Sequence, residues 1–273
     1  MTRNIFDPDE ALAHQQVKTR KKRTTRADKV AHGEVRAIRE KFIEERVLPP
    51  LRPMNDLQAK YIKLIQEKRL VVATGFAGTS KTYIPTVMAC DAYRKGEISR
   101  IYLSRPAMSE SKSLGYFSGD LVEKMSHWLL PVLTTMYERL GKEVVEIAIK
   151  AGDIRFIPLE TIKGMSFGKG TFTIVEEAED LTVKEIKSVL TRQGGGTLVL
   201  AGDIEQSALN EKSGLRFIKE MSEKYPELED VSGFVDFNRP SDIVRSDECK
   251  AWVLAMRKEK VKKKKNALVQ ILT

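Results

Sequence analysis

The chain has 273 residues, 41% of them hydrophobic and 31% charged, with a formal net charge of +9. That is enough apolar material for a sizeable core, and the length suits one α/β domain with extensions or two small domains. No apolar run approaches the ~18 residues of a membrane span. The first ten residues carry three acidic side chains and no apolar stretch, so no signal peptide is expected there. Two cysteines, Cys90 and Cys249, and three histidines with no CxxC argue against a disulfide framework or a zinc site, and Cys90 reads as a buried helical residue. A reducing cytoplasm fits this composition.

The positive charge is concentrated at the two ends. Residues 17–29 hold seven Lys or Arg and one Asp, and residues 254–273 hold seven Lys or Arg and one Glu. Each run is net +6, which leaves −3 for the remainder. Such runs suit a polyanion, nucleic acid in particular, the alternative being solvated tails that aid solubility.

Taken in order, residues 1–53 read as a basic N-terminal arm, with a helix expected over 31–46 and ended by Pro49, Pro50 and Pro53. A catalytic domain is expected over 54–256 and a basic tail over 257–273. Within the domain, Leu57, Tyr61, Ile62, Leu64 and Ile65 mark an amphipathic helix capped near Asn55 and Asp56. Strands are expected at Leu70–Ala73, Ile101–Leu103, Ile154–Ile157, Phe172–Val175 and Leu198–Leu200. Helices are expected at about 81–94, 121–140, 183–192, 215–221 and 242–256. This alternation predicts an α/β fold with a mostly parallel sheet and helices on both faces.

Three segments carry chemistry. Gly75-Phe76-Ala77-Gly78-Thr79-Ser80-Lys81-Thr82 follows a strand and opens a helix, the context of a P-loop. Its backbone N–H groups and the helix N-terminus suit phosphate, Lys81 would reach the β- and γ-phosphates of ATP, and the Thr82 hydroxyl would hold Mg²⁺. Ser80 departs from the usual Gly, and Pro85 fits a helix only near its first turn. Next, the strand Phe172–Val175 ends in Glu176 and Glu177. Glu176 would hold the metal, and Glu177 would orient and deprotonate a water. Last, Leu198–Ala201 runs into Gly202-Asp203-Ile204-Glu205-Gln206, where Gln206 would sense the γ-phosphate and Asp203 would anchor it.

These motifs resemble the PhoH-like ATPase family. The resemblance rests on Leu57-Gln58-Ala59-Lys60-Tyr61, the P-loop, Arg105-Pro106-Ala107, the stretch Leu114–Lys124, the acidic box, Leu190-Thr191-Arg192-Gln193-Gly194, Gly202–Gln206 and Ser213-Gly214-Leu215, in the family's order over about residues 55–250. It implies a RecA-like P-loop NTPase that hydrolyses ATP, is helicase-like and linked to RNA, and assembles as a ring, a hexamer being expected. It also implies that Gln58 contacts adenine. Phage and bacterial members would place such a protein in the cytoplasm, the host's if phage-encoded. In such a ring an arginine crosses the subunit boundary, with Arg105, Arg192 and Arg245 as candidates and Arg245 the choice for a catalytic role. The sequence departs from the family at Ser80 (Gly expected), Glu176 (Asp) and Glu179 (Gln). The alternative is therefore an ATP-binding oligomeric scaffold, or a regulatory adaptor, with little or no hydrolysis.

Overall fold

The computed structural model describes residues 48–106, 129–209 and 212–272, with the single position 37 besides. The rest of the helix expected over 31–46, Ala107, the 114–124 motif and the first part of the helix expected over 121–140 lie outside the described residues.

Six parallel strands form one sheet: β1 (Leu70–Gly75), β2 (Arg100–Ser104), β3 (Ile154–Phe156), then β5 (Thr171–Val175), β7 (Thr197–Ala201) and β8 (Ser232–Phe237). Their order is β3-β2-β5-β7-β1-β8, and all five pairings are parallel. A small two-stranded sheet pairs β4 (Phe167–Gly168) with β6 (Gln193–Gly194). The strands alternate between two cores, as a period of two requires. Val71, Ala73, Ile101, Leu103, Phe172, Ile174 and Val199 join one cluster. Val72, Tyr102, Val175, Leu198 and Leu200 join the other.

The first face is covered by α1 (Asp56–Glu67), α2 (Tyr83–Lys95), α3 (Leu130–Leu140) and α4 (Lys142–Ala151), and the second by α5 (Val183–Leu190) and α6 (Gly214–Lys224). Local signals set several ends. Asn55 caps α1 by accepting from the Gln58 N–H at 2.9 Å. Thr182 and Glu185 form a reciprocal capping box on α5. Gly96 ends α2 in the left-handed conformation. Cys90 is fully buried, as expected.

Four elements differ from expectation. β8 was not foreseen, because Gly233 and Asp236 interrupt its apolar run; it is an edge strand beside β1. Helix α4 was also missed, and the short α7 (Leu228–Val231) with it. The last helix, α8, spans Asp247–Leu272, later and longer than the 242–256 expected. Pro240–Asp242 instead forms a single 3-10 turn whose Asp242 carboxylate accepts from Arg239. Lys, Glu, Arg and Leu are good helix formers, so α8 continues through position 256, where the basic tail was expected to separate.

Candidate nucleotide site

Because the main strands are parallel, β1, β5, β7 and β8 deliver their C-terminal ends to one edge, where open α/β sheets bind ligands. The P-loop leaves β1 there. Gly75 has φ +113°, and its register partner Phe237 lies so close that a Cβ would strike the Phe237 carbonyl. The Phe76 N–H donates to that same oxygen at 2.9 Å. Thr79 Oγ1 donates to Phe76 O at 2.9 Å and folds the loop on itself. Lys81 Nζ donates to the carbonyls of Gly75 (2.7 Å) and Phe76 (2.6 Å). Burial lowers the affinity of this amine for its proton, against the carboxylates of Asp203, Glu179 and Glu177, which raise it.

Ser80 occupies the left-handed region at φ +68°. That conformation suits glycine, the residue the resemblance expects here: an L side chain in it costs on the order of 1–2 kcal/mol. Pro85 is the third residue of α2, so its missing N–H falls in the first turn. It leaves the Lys81 carbonyl without the usual i+4 donor, and the Tyr61 hydroxyl of α1 supplies one at 2.9 Å. Tyr61 is fully buried, edge-on to Phe237 with ring centroids 5.7 Å apart. Its role was not read from the sequence, although the proline was the signal for it.

Glu176 and Glu177 follow β5. Glu176 is buried, and burial raises its pKa against a hydrogen bond from Thr82 and the charge of Arg105. Glu177 has φ +50° and pairs with Arg105 at 3.4 Å. Glu179 is also buried, and burial, with the Glu177 charge adding, pushes it up to about 8. Burial thus favours its neutral form, which has the shape of the Gln that the resemblance expects. Gly202 lets it fit, since a Cβ there would strike Glu179 Oε2.

Following β7, Asp203 Oδ2 accepts from Gln206 Nε2 at 2.9 Å and Oδ1 accepts from the Glu205 N–H at 3.0 Å. Asp203 thus anchors Gln206. A cavity of about 600 Å³ is lined by Lys81, Thr82, Glu176, Glu177, Gln206 and Arg245 together. Arg105 and Arg245 lie at the site of their own chain, whereas Arg192 precedes β6 and β7 at the opposite edge of the sheet. Gln58 is buried with its carboxamide committed to the main chain: Nε2 donates to Thr79 O at 3.3 Å, and Oε1 accepts from the Met54 N–H at 2.8 Å. Met54 and Tyr83 also line this cavity.

Among the described residues no group of three His, Cys, Asp or Glu side chains is placed to hold a metal alone. The hydrogen-bonded pair of Thr82 and Glu176 is the donor set that remains, and oxygen ligands of this kind suit Mg²⁺ completed by phosphates and water. The residues therefore fit that ion, and Thr82 and Glu176 would hold it.

A parallel sheet flanked on both faces, with a phosphate-type loop after β1 and acids after a strand two places away, defines a RecA-like P-loop NTPase. The family model described as "PhoH-like protein" matches residues 50–257, and the chain belongs to that family. It is 35% identical over 193 residues to the PhoH-like protein of Synechocystis, covering 69% of this chain and 56% of that one. It is 36% identical over 167 residues to the PhoH-like protein of Bacillus subtilis, covering 60% and 52%. With Protein PhoH of Escherichia coli K12 it shares 32% over 211 residues, covering 76% and 58%. The chain thus spans about half the length of the curated relatives it matches. Among solved structures, the UvsW helicase from bacteriophage T4 superposes over 75% of this chain and 67% of that one, at TM-score 0.40 and 10% identity. No helix among the described residues is long and apolar enough to cross a membrane.

Proposed function

We propose that the chain binds ATP with Mg²⁺ and hydrolyses it, coupling the cycle to the binding or remodelling of nucleic acid, with RNA as the first substrate to test. The observation that supports this is the convergence of Lys81, Thr82, Glu176, Glu177 and Gln206 on one cavity at the strand ends. Residues 75–82 wrap the phosphates, with Lys81 leaving its carbonyl partners to bind them. Thr82 and Glu176 hold the metal, which when bound neutralises phosphate charge. Glu177 orients and deprotonates the attacking water once Arg105 releases it, and Gln206, fixed by Asp203, reads the γ-phosphate. Arg245 adds a second cation from the same chain. Gln58 acts by bracing the loop at Thr79 rather than by touching the base.

The same reading has the chain working in the cytoplasm as a ring of identical subunits, a hexamer being expected. Light scattering with ATP present tests this: a monomer alone would contradict the ring. A second reading, an ATP-binding scaffold or adaptor with little turnover, is favoured by Ser80 at φ +68° and by the pairing of Glu177 with Arg105. Phosphate release from ATP, measured with and without RNA, separates the two. The proposal expects release that rises with RNA; ATP binding without release would select the scaffold.

A further inference from the structure

Helix α8 and the segment leading into it touch the P-loop at two places. Just ahead of it, the Val244 N–H donates to the Gly78 carbonyl at 3.0 Å, and the Arg245 methylenes pack over Gly78. Three turns into the helix, the Arg257 guanidinium lies over the Phe76 ring, 4.3 Å from its centroid. The continuous segment 244–257 thus straddles the loop at residues 76 and 78.

The two faces of α8 differ in what they meet. Val253, Leu254, Arg257 and Lys260 are partly covered by the body. Between helix and body lies a cavity of about 720 Å³, where Arg257 and Lys260 face Glu205, Glu220 and Glu223, and Phe76 and Gln206 form part of the wall. The inner cations therefore share one cavity wall with acids of the same chain. On the outer face Trp252 is 70% exposed, while Met256, one turn on, lies at the rim of the cavity and is 60% exposed. Lys258 and Lys262 are exposed as well. Over its whole length α8 carries eight Lys or Arg against three Asp or Glu, net +5.

An exposed indole on a strongly basic helix suits one class of partner. Lysines attract phosphates irrespective of sequence, and an aromatic ring stacks on a base whose face is open. Single strands offer both features, whereas a duplex keeps its base faces covered. We propose that the outer face of α8 binds single-stranded nucleic acid, with Trp252 as the stacking platform, and that the contacts at Phe76 and Gly78 couple this binding to the nucleotide site. The coupling rests on the nucleotide reading above; the surface does not. Because coupling between sites is reciprocal, ATP and the strand change each other's affinity by the same factor.

The test uses the full chain, a fluorescently labelled oligouridylate and a duplex of the same length. Trp252→Ala is expected to weaken oligouridylate binding about tenfold, the loss of one stacked base. It should hardly change duplex binding or ATP affinity measured without oligonucleotide, and Trp252→Phe should recover most of the loss. Arg257→Gln should bring the factor between ATP and oligouridylate towards one. Oligouridylate affinity unchanged in Trp252→Ala overturns the surface. So does loss of self-association in Trp252→Ala with strand affinity intact, because the face would then be a subunit contact. A factor of one in the parent overturns the coupling. A parent that binds no nucleotide at all counts against the P-loop reading instead, and a weakened Trp252→Ala would still support the surface.

Discussion

The Tyr61 hydroxyl donates to the Lys81 carbonyl, the acceptor that Pro85 cannot serve from within α2. Two helices and the phosphate loop are joined at this one bond. Tyr61→Phe keeps the ring against Phe237 but strands a carbonyl. It should cost about 1–3 kcal/mol in urea unfolding, the price of an unsatisfied buried polar group, and weaken ATP binding because Lys81 loses its anchor. In a Pro85→Ala background the new N–H can take over the carbonyl, so the same substitution should cost clearly less. Equal costs in both backgrounds would show that the bond does not compensate for the proline.

A pH-dependent stability follows from Glu179. Its pKa in the folded chain, about 8, lies above the ordinary glutamate value of 4.5. Between those values the folded state holds a proton that the unfolded state has released, so this group makes stability fall as pH rises through the window. Glu179→Gln removes the dependence. The variant should match the parent near pH 4 and become progressively more stable up to about pH 8, after which the difference stays constant. For a chain of this size each kcal/mol is roughly 2–4 °C in Tm. A difference in melting temperature that does not vary with pH would contradict a protonated Glu179.

Ser80 gives the third prediction. Ser80→Gly relieves a left-handed serine and should stabilise the chain by up to roughly 1.5 kcal/mol, the strain less the backbone entropy that glycine loses on folding. Combined with Glu176→Asp it should raise the rate of phosphate release, since both changes restore the residues that the resemblance expects at phosphate and metal. A neutral or slower double variant would mean that the loop has adapted to its own residues.

Much of the site was legible before the fold, because its motifs lie at strand ends and keep a short local spacing. Lys81, Thr82, Glu176, Glu177 and Gln206 could be placed at one sheet edge from strand–turn patterns alone. What was illegible depends on contacts between residues far apart in sequence. Tyr61 meets Lys81 across 20 positions, and Arg257 meets Phe76 across a still longer separation. Gln58 was expected at the base, but its burial and its bonds to Thr79 and Met54 could not be read from a motif. Strand β8 was hidden because an edge strand with Gly233 and Asp236 lacks the continuous apolar run of the central strands.

The central claim is that Lys81 binds the phosphates and Glu177 activates water. Calorimetry and phosphate release on three proteins test it most directly: the parent, Lys81→Ala and Glu177→Gln. The parent should bind ATP·Mg²⁺ and release phosphate, and Lys81→Ala should bind no nucleotide. Glu177→Gln should bind ATP with parental affinity while turnover falls about 10²–10⁴-fold, the share of a general base. Nucleotide affinity unchanged in Lys81→Ala, or equal turnover in Glu177→Gln and the parent, would contradict the account.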